Sequence, residues 1–189
     1  MKLLLYCTKA KPYLTMTTDF VSFRRFDCYD RDFGCLNGKI VAECDFEVEE
    51  IEKGYGIHHT SFDEEGYFDD FYDYMTKTID EDILLKRSCL NVVELETYNP
   101  NYVIHIKNLH IFDEPRELSD YLNNKYWNSH FGNDRVSKAP QNMMRVYKLK
   151  DIEWEEYILI SIQPQWLCKI LNGEKTIEVR KKVLKEMLK

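Results

Sequence analysis

Apolar residues follow different rhythms along the 189-residue chain, and each rhythm predicts a different element. Lys2–Cys7 (KLLLYC) and residues 156–162 (EYILISI) are almost continuously apolar, the pattern of strands covered on both faces. Residues 39–51 (KIVAECDFEVEEI) mix apolar and polar positions through Val41, Cys44, Phe46 and Val48, which predicts a half-buried strand after the Asn37-Gly38 turn. Residues 102–112 (YVIHIKNLHIF) carry the strongest strand signal, with Val103, His105 and Lys107 alternating against Ile104 and Ile106. A further strand is predicted at 143–149.

Helical signals are short. Pro164 suits a first helical position, where its missing N–H costs nothing; Trp166, Leu167 and Ile170 make one face, and Asn172-Gly173 supplies the stop. Ser88 reads as the N-cap of a short helix with Leu90, Val93 and Leu95 on its apolar side. Residues 115–122 predict a short helix or turn, and 183–188 a last helical turn. Residues 175–180 (KTIEVR) alternate as a strand, which would place Lys175, Ile177 and Val179 on one face and Thr176, Glu178 and Arg180 on the other; a site using all three charges needs a twisted strand start or Lys175 in the turn after Gly173.

Two stretches fit neither period. Residues 19–37 are aromatic, charged and irregular. Residues 54–75 are acidic and aromatic with scattered glycines. They read as part of an insertion at about 54–82, with a short helix near 68–75. No low-complexity tract or linker divides the chain, so residues 1–189 are expected to form a single domain.

Composition excludes several classes. Hydrophobic residues at 44% and aromatics at 14% are too many for a disordered chain. No apolar run approaches the roughly 18 residues that span a bilayer, so no membrane partner and a cytoplasmic setting are expected. The six cysteines form no C-x-x-C pair and fit no zinc spacing. Cys7, Cys44 and Cys168 sit in apolar patterns as small core residues, and neither metal nor cofactor is called for. A net charge of −7 argues against a generic polyanion binder. The charge is uneven, however: residues 63–82 hold nine acids and one base, whereas residues 169–189 hold seven Lys/Arg and three Glu. Residues 1–14 hold three lysines and no acid. Both ends are basic and the middle is acidic.

Recognition enters at residues 158–180, ILISIQPQWLCKILNGEKTIEVR. The succession of strand, helix, glycine stop and G-x-K-x-x-E-x-R, here Gly173, Lys175, Glu178 and Arg180, resembles the opening of ASCH domains of the PUA-like superfamily. LLLYCTKAKPYL, NGKIVAECDFEVEEI, SCLNVVELE, YVIHIKNLHIFDEPREL and KAPQNM resemble later elements of the same family, especially its phage and bacterial members. The resemblance implies an α+β fold: a single mixed PUA-like β-barrel with flanking short helices and the acidic insertion. The order differs, because the segment that opens the family comes last here. Either residues 156–181 complete the barrel by circular permutation, or they begin a truncated second domain. Permutation is favoured, since a lone strand–helix–strand would leave apolar faces unburied.

Permutation would bring the two basic ends together, so that Lys9, Lys175 and Arg180 share a cleft that attracts anions despite the acidic whole. The resemblance then implies binding of RNA or a modified nucleotide by Lys9, Lys175, Glu178 and Arg180, with Trp166 to stack on a base and Gln141 to read its edge. The plain alternatives stand beside this: a surface ion-pair row at 175–180, a core role for Trp166, and a turn at Gln141 and Asn142 after Pro140. His105 reads as structural, and the His58-His59 pair is not counted as a metal site. One ASCH-like enzyme group hydrolyses N4-acetylcytidine with a lysine, a threonine and a glutamate. Its lysine corresponds to Lys175, the catalytic candidate if the chain is an enzyme, but Glu178 occupies the threonine position. A third reading is a phage-type factor that blocks a host protein of nucleic-acid metabolism through the acidic face.

Overall fold

The computed structural model describes residues 1–8, 13–17, 20–24, 38–59, 68–123, 135–151 and 153–188. The strands are β1 (Lys2–Cys7), β2 (Tyr13–Thr17), β3 (Phe20–Arg24), β4 (Ile40–Glu50), β5 (Glu52–His59), β6 (Phe68–Met75), β7 (Tyr102–Arg116), β8 (Met143–Lys150), β9 (Glu153–Ile162) and β10 (Ile177–Arg180). The helices are α1 (Glu81–Ser88), α2 (Val92–Tyr98) and α3 (Pro164–Leu171), with 3-10 turns at Leu118–Asp120 and Lys185–Leu188. Six strands hydrogen-bond in the order β10-β7-β4-β1-β9-β8, while β2 with β3 and β5 with β6 form two-stranded ribbons. The fold is α+β, as expected. The expected barrel does not close among the described residues: β10 and β8 are the two edges of an open sheet.

The chain forms two compact units, Met1–Phe46 with Lys107–Glu174 and Glu47–Ile106 with Lys175–Lys189. In the first, β1 lies between β4, antiparallel to it, and β9, parallel to it. The register from Lys2↔Tyr157 to Cys7↔Ile162 brings two apolar runs side by side. Leu3, Leu4, Leu5, Ile158, Leu159 and Ile160 are wholly buried, which is why neither run alternates. Residues 156–162 thus lie in the same sheet as β1 and β4, though in an open sheet and not in the expected barrel. Cys7 and Cys44 are core residues, and burial pushes the Cys44 thiol up to about 12. Helix α3 packs on β1 through a face that buries Leu167, Ile170 and Leu171. It stops at Gly173, whose φ of 78° is left-handed.

In the second unit, Tyr74, Ile79, Leu84, Leu95, Val103, Ile177 and Val179 form one cluster. Phe68–Met75 is the strand β6, not a helix; it pairs with β5 from Glu52↔Met75 to His59↔Phe68. Its aromatic content favours a pleated ribbon, and the scattered glycines that obscured the alternation lie in the partner strand at Gly54 and Gly56. Helix α1 had no counterpart in the sequence pattern. Asp80 caps it by accepting from Ile83 N at 2.9 Å, and Cys89 ends it with φ 56°. Ser88 is therefore the last residue of α1 rather than a cap. The cap of α2 is Asn91, in a capping box with Glu94.

A β-carbon added at Gly173 would meet nothing within 4 Å, so its only penalty is the positive φ. Gly173→Ala is expected to lower unfolding free energy by about 1 kcal/mol, and Gly173→Asn by less, since asparagine tolerates this region. Urea titration of the three proteins measures both differences.

Candidate functional site

Strand β10 pairs antiparallel with the start of β7, Ile177↔His105 through Arg180↔Tyr102. Alternation sends Ile177 and Val179 into the second unit's apolar cluster and Glu178 and Arg180 to the opposite face. A regular strand would have carried Lys175 to the apolar side. Instead β10 starts only at Ile177, and the approach to it is held by Thr176 N donating to Arg87 O at 3.0 Å and Ile106 N donating to Thr176 O at 2.9 Å. Lys175 therefore lies in the turn and escapes the alternation.

Its ammonium donates to Ser88 O at 2.6 Å and lies 3.4 Å from Glu178 Oε2. The other oxygen of Glu178 is 3.0 Å from Arg180 Nη2. One carboxylate thus bridges two cations. Ser88 ends α1, so Lys175 occupies the place where a helix presents unpaired carbonyls and favours positive charge. A surface ion-pair row at 175–180, the plain alternative, would leave these side chains exposed. Lys175 is only 2% exposed and Glu178 8%, with the Arg180 side chain at 12%. The row can be buried because its partners are internal. Burial pulls the Lys175 ammonium below its ordinary value, and Glu178 only partly offsets this.

Chemically the row splits by role. Lys175 donates to Ser88 O and faces Glu178 at 2% exposure, a geometry suited to positioning the carboxylate. Glu178 fixes one edge of the Arg180 guanidinium, the group suited to hold an anion bidentately. Beyond the strand, Lys181, Lys182 and Lys185 are exposed, with the Lys181 ammonium 5.3 Å from the centre of the Tyr98 ring.

The other sequence candidates are placed elsewhere. Gln141 is exposed and Trp166 half-buried, and both belong to the first unit. The loop at Gln141 is tied to the end of β9 by Ser161 Oγ donating to Pro140 O at 2.6 Å and Ser161 N donating to Asn142 O at 3.0 Å. The Trp166 ring carries the Lys169 ammonium 5.1 Å from its centre. Lys9 and the side chains of His58 and His59 lie outside the described residues.

A polar cluster in the second unit was missed. Glu49 Oε1 accepts from Thr78 Oγ1 at 2.6 Å and lies 3.3 Å from His105 Nε2. Burial pushes the Glu49 carboxyl up, but hydrogen bonds from Thr76 and Thr78 and the charge of His105 outweigh it and hold it below the ordinary value. The Thr76-x-Thr78 spacing was the available signal. Thr76 Oγ1 also accepts from the N–H groups of Thr78 and Ile79, closing the turn before α1.

Comparison with protein-family models, with curated proteins and with solved structures found no match to this chain.

Removing Lys175 leaves Glu178 with Arg180 alone and takes the donor from Ser88 O. Lys175→Ala is expected to destabilise by about 1–3 kcal/mol, and Lys175→Met, which keeps the volume, by less. Chemical denaturation ranks the two. Glu49 predicts an acid effect of fixed sign. A carboxyl whose folded pKa is depressed adds stability above its unfolded value, near 4.5, and loses it as pH falls through the folded value. Glu49→Gln should therefore flatten the fall in stability below pH 4.5, measured as melting temperature against pH.

Proposed function

We propose that the chain is an RNA- or modified-nucleotide-binding module of the ASCH, PUA-like type, circularly permuted, with Arg180 as the principal anion-holding group of its site. The observation that carries this reading is the row itself. Lys175, Glu178 and Arg180, the charged positions of the family-like motif, meet side by side although simple alternation would separate the first from the others. Two supports stand behind it. Strand β9, which opens the segment that ends in the motif, lies beside β1, the neighbour that permutation of the family order calls for. The row also holds two cations against one anion, and exposed lysines follow it. On this reading the sheet is the opened form of the family's barrel.

The amidohydrolase alternative gains one feature and loses another. Burial lowers the Lys175 pKa, as a lysine base requires. But the same ammonium is bonded to Ser88 O and paired with Glu178 at 2% exposure, with a carboxylate where the hydrolase threonine would be. Binding is therefore the preferred reading.

Arg180→Gln is expected to weaken binding of single-stranded RNA about tenfold, the cost of one charge-assisted contact. Added salt should weaken the wild-type complex. Fluorescence anisotropy at low and moderate salt reads both. No affinity at low salt, or equal affinity in wild type and variant, would refute the proposal.

A further inference from the structure

A cleft of about 540 Å³ lies wholly within the first unit, at the start of β1 and β9 and the end of β7 and β8. Its size falls in the range of roughly 300–1,000 Å³ typical of small-molecule sites. Three acids line it, and each has its own partner. Glu43 is 2.7 Å from the Lys2 ammonium. Glu155 accepts from the Tyr157 hydroxyl at 2.6 Å and lies 3.6 Å from Lys150. Glu156 is 3.1 Å from Arg145.

Two cations of the same lining, Arg116 and Lys148, have no carboxylate at ion-pair distance among the described residues. Both are gathered on one buried residue, Tyr121. Arg116 Nη1 donates to the Tyr121 hydroxyl at 3.0 Å, and the Lys148 ammonium stands 5.5 Å from the centre of the Tyr121 ring. The Arg116 guanidinium also stacks 3.6 Å from the centre of the Phe112 ring. A guanidinium held by a hydroxyl and a ring face has lost its rotamer freedom before any ligand arrives. The charge of Lys148 reaches Glu155, but that carboxylate is bonded to Tyr157 and paired with Lys150, and two like charges brought together at one place make a site for a dianion.

The geometry points to this cleft as a binding site for a small-molecule phosphate monoester, held by Arg116 and Lys148. A phosphate monoester carries about −1.5 to −2 charges at neutral pH, which matches two cations with no carboxylate at ion-pair distance among the described residues; a simple carboxylate would match one. The volume leaves room for the organic group, and exposed Leu149 offers it an apolar wall. The inference does not rest on the RNA-binding reading, whose residues belong to the other unit.

Isothermal titration of the full chain at low salt with inorganic phosphate, adenosine 5′-monophosphate and adenosine tests it. Phosphate and the monophosphate are expected to bind, and adenosine not. Arg116→Gln and Lys148→Gln should each weaken the monophosphate about tenfold or more, with Arg116→Lys intermediate because it keeps the charge and loses the fork. Lys148 is half-exposed, so Lys148→Gln separates loss of binding from loss of fold, and circular dichroism checks this. Lys77→Gln, at an exposed lysine of the other unit, should leave this binding unchanged. Absence of binding, equal binding of adenosine, or indifference to both Gln variants would each overturn the assignment.

Discussion

The parallel ladder between β1 and β9 is the pairing on which the first unit rests. It joins the first strand to one of the last, and both are apolar throughout. Parallel pairing needs a crossover, and here nearly all of the chain serves as one. The entropic cost of closing so long a loop grows only logarithmically with its length, so burying Leu3, Leu4, Leu5, Ile158, Leu159 and Ile160 can offset it. The ladder also directs the chain beyond it. Helix α3 leaves β9, packs on β1, and delivers the chain to Gly173 and the charged row.

The row shows how a charge is kept inside a small unit. An ammonium at 2% exposure would ordinarily be expensive, yet Lys175 meets a carboxylate and the end of a helix. The same bonds tie α1 to the strand after it, since Arg87 O and Ser88 O both receive donors from residues 175 and 176. Glu178 gains a second task by bridging to Arg180. Structure and proposed recognition thus share one carboxylate, with its two oxygens facing different cations.

Much of this was legible in the sequence, for identifiable reasons. The runs at β1 and β9, the alternation of β7, and Pro164 with Gly173 at the two ends of α3 are local signals, and the structure honours them. What failed needed a partner to be seen. The strand β6 is specified by pairing with β5, and its glycine-bearing partner masked the pattern. Helix α1 is acidic at its start, basic at its end and nearly without an apolar stripe, burying only Leu84 and Ser88, so periodicity could not find it. The failed cap at Ser88 is a matter of three residues: Asn91 does the capping, and Ser88 closes the preceding helix. The position of Lys175 was the least readable, because where β10 begins depends on the contacts of Arg87 and Ile106 with Thr176.

The two compact units are each discontinuous in sequence, Met1–Phe46 waiting for Lys107–Glu174 and Glu47–Ile106 waiting for Lys175–Lys189. During synthesis, N-terminal parts of many proteins fold while later parts are still being made. Here each unit needs segments far apart in sequence. β1 finds β4 nearby, but its other edge has no partner until β9 is made, and α1 lacks until then the lysine that meets its last turn. An apolar strand with one open edge is the part of such a chain that most needs shielding while it is being made.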